Sequence, residues 1–153
     1  MLSTNSLTAG QQLDAIAVRV LKERIVIATA NARRSVEAPE KLVDHLLDQY
    51  RLSLHFLTVQ LPRRDVLFLA IDRQCPVLRK SLGRLNGIVA GVIESGIRDS
   101  HFKAQDHRQS TDLFTVQTNP IWDPAAVVAR LQRSECYSPY EHARAAVDRL
   151  IQT

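Results

Sequence analysis

The sequence contains few aromatic residues, glycines or prolines. Of its 153 residues only 5% are aromatic, and there are 5 glycines and 6 prolines. A β-sandwich needs a turn about every ten residues, so this scarcity argues against a loop-rich β fold. With few aromatic side chains, the core must be built mainly from Leu, Val, Ile and Ala. The composition favours an all-α domain.

Cysteine is also scarce, and no long apolar run is present. Cys75 and Cys136 are far apart and form no C-x-x-C pair, which excludes a disulfide framework or a thiolate zinc site as the default. Two separate thiols fit a reducing compartment. No apolar run reaches the length of a membrane span, and the N-terminal MLSTNSLTAG does not resemble a signal peptide. We expect a cytoplasmic protein without membrane contact.

Charge of one sign is not concentrated anywhere in the chain. The net charge is +4, and basic residues are interspersed with acids except at the pairs Arg33-Arg34 and Arg63-Arg64. This pattern is typical of a mixed, solvated surface rather than of a nucleic-acid-binding face. The sequence also contains no G-x-S-x-G, no phosphate-binding glycine loop and no H-E-x-x-H. We expect neither enzyme activity nor a cofactor, and the five histidines suggest no metal cluster.

Capping residues and prolines divide the chain into helices. Such signals predict a short tail over residues 1–8 and a single helical domain over residues 9–153. Within the domain they predict six or seven helices, at residues 8–34, 39–61, 64–73, 76–96, 106–117, 123–133 and from 138 onward.

Two apolar runs leave an α/β arrangement open. RIVIATA (residues 24–30) and DVLFLAI (residues 65–71) have the composition of buried strands. Neither run has turn residues on both sides, so we predict both to be helical. The α/β arrangement remains the alternative.

The last two predicted helices suggest an interface between two chains. Residues 125–129 are apolar on every side of one turn, whereas a surface helix needs only one apolar stripe. We therefore predict a symmetric homodimer through these helices, with burial inside one chain as the alternative. The expected interface residues are Ala125, Val128, Leu131, Ala143, Ala146, Val147 and Leu150.

Glycine and asparagine interrupt the apolar pattern of the helix predicted over residues 76–96. Asn86, Gly87 and Gly91 are the residues concerned. Glycines at these positions can permit tight helix packing, or they can make room for a ligand beside the helix. The sequence leaves both interpretations open.

A resemblance to a known family emerges at residues 96–106, GIRDSHFKAQD. This stretch resembles a connection in the tetracycline-repressor (TetR) family of bacterial regulators, where a long helix ends at a glycine-rich turn. Gly96, Phe102 and Asp106 match the pattern, whereas Ser100 stands where a second glycine is usual. Phe102 should anchor the connection on the core. NPIWDP (residues 119–124) resembles the family's break within a helix, and the final SPYEHARAAVDRLIQ resembles its last helix.

The resemblance covers nearly the whole chain and implies a TetR-like C-terminal regulatory domain that binds a small effector and forms a homodimer. An apolar or amphipathic effector would lie among the helices of residues 39–60, 76–97 and 106–117. The alternative for every candidate residue is ordinary core packing. The polar candidates are Tyr50, Ser53, Asn86 and Gln117, and the wall candidates are Leu54, Val89, Ile93 and Phe114.

One part of the family pattern has no counterpart in the predicted helices. Such regulators begin with a three-helix DNA-binding domain, whereas the first predicted helix of this sequence resembles the linker helix that follows that domain. We therefore expect DNA binding only through a helix-turn-helix domain that this chain does not contain. The chain would then be a fragment of a longer regulator or a protein without the DNA-reading part. The alternative function is a helical interaction protein that binds an intact regulator without any ligand.

Overall fold

The computed structural model describes residues 9–59, 76–133 and 136–152. Within these ranges every regular element is an α-helix, which confirms the all-α prediction. The helices are α1 (Ala9–Ala32), α2 (Ala38–Val59), α3 (Pro76–Arg98), α4 (His107–Trp122), α5 (Pro124–Arg133) and α6 (Pro139–Gln152).

Most predicted helix boundaries agree with the structure, but two do not. Helix α3 continues past Gly96 to Arg98, so Gly96 does not end it. Helix α4 continues through Pro120 to Trp122, where the backbone N–H of Asp123 still donates to the Asn119 carbonyl at 2.9 Å. The break therefore comes at Asp123 and not within α4.

The two apolar runs have different outcomes. Residues 24–30 lie inside α1, so a strand there is wrong. Residues 65–71, the predicted helix over 64–73 and the predicted tail over 1–8 lie outside the described residues.

Side-chain caps fix the starts of three helices. The Asp106 carboxylate accepts from the backbone N–H groups of Arg108 and Gln109 at 2.9 and 3.0 Å. Asp123 accepts from the N–H of Ala126 at 3.2 Å, and the Ser138 hydroxyl accepts from the N–H of Glu141 at 3.2 Å. Each cap stabilises its helix by about 1 kcal/mol. These contacts confirm the capping predictions at all three positions.

Helix α2 lies at the centre of the domain and packs against each of the other five helices. Its residues Leu42 and Leu46 are only 1% exposed and belong to the main core cluster. A smaller apolar cluster between α1 and α3 contains Ile25, Ala28 and Leu85. None of the helices in the described ranges is both long and apolar enough to cross a membrane.

The connection between α3 and α4 folds back onto the core. Phe102 is 3% exposed, which confirms its prediction as an anchor. The backbone N–H groups of His101 and Phe102 both donate to the Gly96 carbonyl, at 2.8 and 3.1 Å. A Cβ atom at Gly96 would lie 2.4 Å from the Phe102 ring, so glycine is needed there for space. The left-handed residue is Ser100, with φ 62°.

Candidate functional site

A buried arginine joins three parts of the fold. Arg24 of α1 is 5% exposed, and its guanidinium donates to Oε1 of Gln49 at 2.9 Å and to Oγ of Ser53 at 2.5 Å. The Gln49 amide donates back to the Arg24 carbonyl at 3.3 Å. The Ser53 hydroxyl donates to the Trp122 carbonyl at 3.0 Å. We call these four residues the Arg24 network; it links α1, α2 and the end of α4.

The charge of Arg24 has only neutral hydrogen-bond partners. In the described parts of the chain, no carboxylate lies within ion-pair distance of its guanidinium. Burial lowers the pKa of Arg24 to about 10, while the charges of Asp123 and Glu23 act in the opposite direction. Burial likewise raises the pKa of Asp123, against the effects of the Ala126 N–H and of Arg24. Arg24 is therefore a protonated, buried cation at neutral pH.

Beside the Arg24 network lies a small recess between α2, α3 and α4. Its volume is about 30 Å³, enough for a group the size of a water molecule. Pockets for drug-sized ligands measure roughly 300–1,000 Å³. The recess is lined by the apolar residues Leu46, Leu82, Leu85, Val89, Phe114 and Trp122, and by the polar residues His45, Gln49, Asn86, Thr115 and Thr118.

His45 brings an unpartnered ring into this recess. It is 8% exposed, and its ring has no hydrogen-bond partner among the described residues. Burial, assisted by the charge of Arg24, lowers the pKa of His45 to about 4. The ring is therefore neutral at pH 7 and carries one donor and one acceptor nitrogen. A polar occupant of the recess could accept a hydrogen bond from the donor nitrogen or donate one to the acceptor nitrogen.

The recess reaches solvent at Asn86, which is exposed, next to the half-buried Thr115. The Thr115 hydroxyl lies 3.5 Å from Oδ1 of Asn86, at the limit of a hydrogen bond. Deeper in the recess, the Thr118 hydroxyl donates to the Phe114 carbonyl at 2.7 Å. The inner end is thus fixed by local bonds, whereas the rim is held by a weak contact.

The structure brings together only some of the predicted ligand-binding residues. Asn86, Val89 and Phe114 line the recess, and Ser53 belongs to the Arg24 network beside it. The other four do not line the recess: Tyr50, Leu54, Ile93 and Gln117.

The reasons for this separation lie in the packing of each side chain. Ile93 is fully buried in the core, and Tyr50 packs against the core cluster. Gln117 lines a different groove, of about 220 Å³, between α4 and α6, and its backbone carbonyl lies 2.8 Å from Nε2 of His142.

Most of the predicted dimer residues lie in the core of the single chain. Ala143, Ala146 and Val147 are at most 1% exposed and Leu150 is 6% exposed, so they present no surface to a second chain in this conformation. Their burial agrees with the alternative to a dimer interface, which is packing within one chain. On α5, Ala125 is exposed and Leu131 is 52% exposed, whereas the side chain of Val128 lies outside the described residues. Two more exposed apolar side chains, Leu113 and Val116, lie on α4.

Gly87 and Gly91 of α3 are not among the residues that line the recess. Both Gly87 and Gly91 are exposed, and a Cβ added to either would meet no atom within 4 Å. These two glycines therefore do not permit close packing in this structure, and neither lines the recess.

Sequence reasoning missed Arg24, His45 and Gln49. A signal for the last two was present, because His45, Gln49 and Ser53 are spaced four residues apart on α2. That spacing places them on one face of the helix, next to Leu42 and Leu46. Arg24 stands at the start of the apolar run of residues 24–30, whose composition indicates a helix or a buried strand and gives no sign of a polar network.

The described residues contain no group of three or more His, Cys, Asp or Glu side chains that could hold a metal ion. No protein family model, no curated protein and no solved structure matches this chain.

Proposed function

We propose that this chain is the effector-sensing and dimerisation domain of a bacterial transcriptional repressor of the TetR type, acting in the cytoplasm. In this proposal the chain binds a small molecule and a second copy of itself. Any contact with an operator belongs to a helix-turn-helix domain outside this chain.

The observation that carries the proposal is the polar recess beside the Arg24 network. A core of Leu, Val and Ile needs no polar lining, yet His45, Gln49 and Thr118 are buried there. Binding sites are concave and mostly apolar, with a few polar groups that orient the ligand. The recess has this composition, and His45 has no protein partner within the described residues.

The Arg24 network offers a route from the recess to α1. Gln49 and Trp122 both line the recess, and both belong to the network that holds Arg24. An occupant that displaces either residue changes the hydrogen bonds that fix α1 against α2. In the proposed function, α1 corresponds to the linker helix that resembles the family's connection to its DNA-reading domain. Effector binding and the position of α1 are then coupled in free energy.

The proposed homodimer uses side chains that remain exposed in the single chain. Leu113 and Val116 are 58% and 72% exposed on α4, and Leu113 borders the groove between α4 and α6. Leu113 and Val116 are three positions apart, on one face of α4, and contiguous exposed apolar surface marks interaction sites. A two-fold axis beside this groove would pair α4 and α6 with their copies. Light scattering coupled to size-exclusion chromatography should give a dimer mass at micromolar concentration, and a monomer mass would contradict this part.

The small volume of the recess favours a second candidate function. At about 30 Å³ the recess does not accommodate a whole drug-sized molecule in this conformation. A helical interaction protein that binds an intact regulator needs no pocket, and the exposed Leu113, Val116, Leu131 and Tyr140 would serve it.

A thermal-shift screen with a chemically diverse small-molecule library separates the two functions. A ligand that binds only the folded chain stabilises it by about 2.7 kcal/mol at a hundredfold excess over Kd. The sensing function predicts at least one compound that raises Tm with increasing concentration. If no compound does so, and the chain instead captures an intact regulator of this type, the second candidate is correct.

A further inference from the structure

The hydrogen-bond partners of Arg24 indicate which class of ligand the recess could bind. An arginine that is buried normally has a carboxylate partner, because desolvating an unpaired charge is unfavourable. Here the guanidinium contacts the Gln49 amide and the Ser53 hydroxyl, which are both neutral. The carboxylate of Asp123 acts on Arg24 only from a distance and accepts the capping bond from Ala126. Glu23 also acts on Arg24 from a distance, so the groups that contact the guanidinium directly are neutral.

The charge of Arg24 also acts on a residue that lines the recess. Gln49 contacts Arg24 and also lines the recess, so the two sites share one side chain. His45 lies one turn before Gln49 on α2, and the charge of Arg24 acts on its ring. Among the described residues that line the recess, none is acidic. An anion in the recess would feel the attraction of Arg24 without repulsion from a carboxylate of these residues.

We propose that the recess binds the carboxylate group of a small monocarboxylic acid. The carboxylate accepts a hydrogen bond from the ring N–H of His45. The positive charge of Arg24, in the protein interior, attracts the negative charge of the carboxylate. This inference rests on the proposed function, since it names the effector class of the same site. Because Arg24 supplies a single positive charge, a monoanion is matched better than a phosphate, which carries a charge of about −2.

The size and position of the recess fit a head-group site. A space of about 30 Å³ holds a small polar group, not a whole effector. The exposed Asn86 and the half-buried Thr115 mark the end that reaches solvent. The carboxylate would enter first, and the apolar part of the acid would leave past these two residues and Leu82.

Titration calorimetry with butyrate and butyramide tests this inference directly. The two probes have nearly the same shape and differ in charge. At pH 7 and constant ionic strength, butyrate should bind at least about tenfold more tightly than butyramide. In Arg24→Met this preference should disappear, whereas Arg24→Lys should retain part of it. The matched control is Arg19→Met, because Arg19 is an exposed arginine on the same helix.

A second measurement keeps the inference testable if Arg24→Met does not fold. NMR titration of the His45 ring protons should show that saturating butyrate raises the pKa of His45, because the bound anion favours the imidazolium. Butyramide should leave that pKa unchanged. An unchanged His45 pKa with bound butyrate would contradict the inference.

The outcomes separate this inference from the proposed function. Equal binding of butyrate and butyramide, or a butyrate preference that persists in Arg24→Met, overturns the carboxylate assignment and leaves small-molecule sensing intact. Binding of butylamine instead of butyrate has the same consequence. If neither these probes nor any library compound binds, both the inference and the proposed function fail.

Discussion

Arg24 of α1 and Gln49 of α2 hold each other through two hydrogen bonds of opposite direction. The guanidinium donates to Oε1 of Gln49 at 2.9 Å, and the Gln49 amide donates to the Arg24 carbonyl at 3.3 Å. Because Gln49 also lines the recess, the same side chain contacts the linker-like helix and the proposed effector site. We propose that this relationship couples the two.

Replacing Gln49 with Ala should destabilise the fold strongly. The change removes an acceptor of a buried guanidinium, which should lower the free energy of unfolding by about 2–4 kcal/mol. Urea denaturation followed by circular dichroism measures this value. The control is Gln132→Ala at an exposed position of α5, where the change should stay within about 0.5 kcal/mol. Equal effects of the two substitutions would show that the Arg24–Gln49 pair does not stabilise the fold.

Gly96 and Gly87, both on α3, should respond to alanine in opposite directions. A Cβ at Gly96 would lie 2.4 Å from the Phe102 ring and 2.9 Å from the Ala38 Cβ, so Gly96→Ala should cost about 1–3 kcal/mol. A Cβ at Gly87 meets nothing within 4 Å, and Gly87→Ala should stabilise the helix by about 0.5–1 kcal/mol. Thermal unfolding of both variants measures the difference. Stabilisation by Gly96→Ala would contradict the packing of Phe102 described here.

Ser100 is the one position of the α3–α4 connection where glycine should improve stability. Its φ of 62° is left-handed, and glycine adopts that conformation without the steric cost borne by other residues. We expect Ser100→Gly to raise the free energy of unfolding by about 0.5 kcal/mol. Glycine relieves backbone strain in the folded chain, and this gain should exceed the stability lost because glycine gives the unfolded chain more conformational freedom. The control is Ser95→Gly, inside α3, where glycine should lower the free energy of unfolding by about 0.5–1 kcal/mol. Urea titrations read out both values, and destabilisation by Ser100→Gly would argue against the left-handed turn.

The buried ring of His45 should make the fold less stable as the pH falls. Its pKa is lowered from 6.5 to about 4, so the unfolded chain binds the proton more readily than the folded chain between these values. The stability contribution of neutral His45 is complete above the unfolded pKa and is lost as the pH falls towards the folded pKa. The loss should amount to at most about 3 kcal/mol.

Urea denaturation between pH 7 and pH 4 measures the His45 effect. His45→Gln should show a flatter dependence across this window, because glutamine does not titrate. His55→Gln, which changes an exposed histidine on the same helix, should keep the dependence of the unsubstituted chain. Identical profiles for all three proteins would show that His45 is not held neutral by burial.

The helices were predictable because their signals are local. Asp106, Asp123 and Ser138 cap helices through bonds to residues two or three positions ahead, and such contacts depend only on the nearby sequence. The end of α3 was misplaced for a tertiary reason. Gly96 has the composition of a helix end, but its role is to admit the ring of Phe102.

The candidate site was predictable only in part, since a recess depends on which helix faces meet. Asn86, Val89 and Phe114 were predicted from their place beside apolar stripes and do line the recess. Gln117 has a similar place in the sequence, yet it lies in the groove between α4 and α6. Small apolar residues such as Ala143 gave no indication of whether their partner is the same chain or a second one, and here it is the same chain.

The most direct test of the central claim is calorimetric binding of a compound from the thermal-shift screen to the unsubstituted chain and to Thr115→Phe. The phenyl group at Thr115 should fill the rim of the recess, whereas the control Asp112→Phe places the same group at an exposed position of α4. The account predicts saturable binding that weakens at least about tenfold in Thr115→Phe and is unchanged in Asp112→Phe. Equal affinity in Thr115→Phe and the unsubstituted chain would contradict a binding site in this recess.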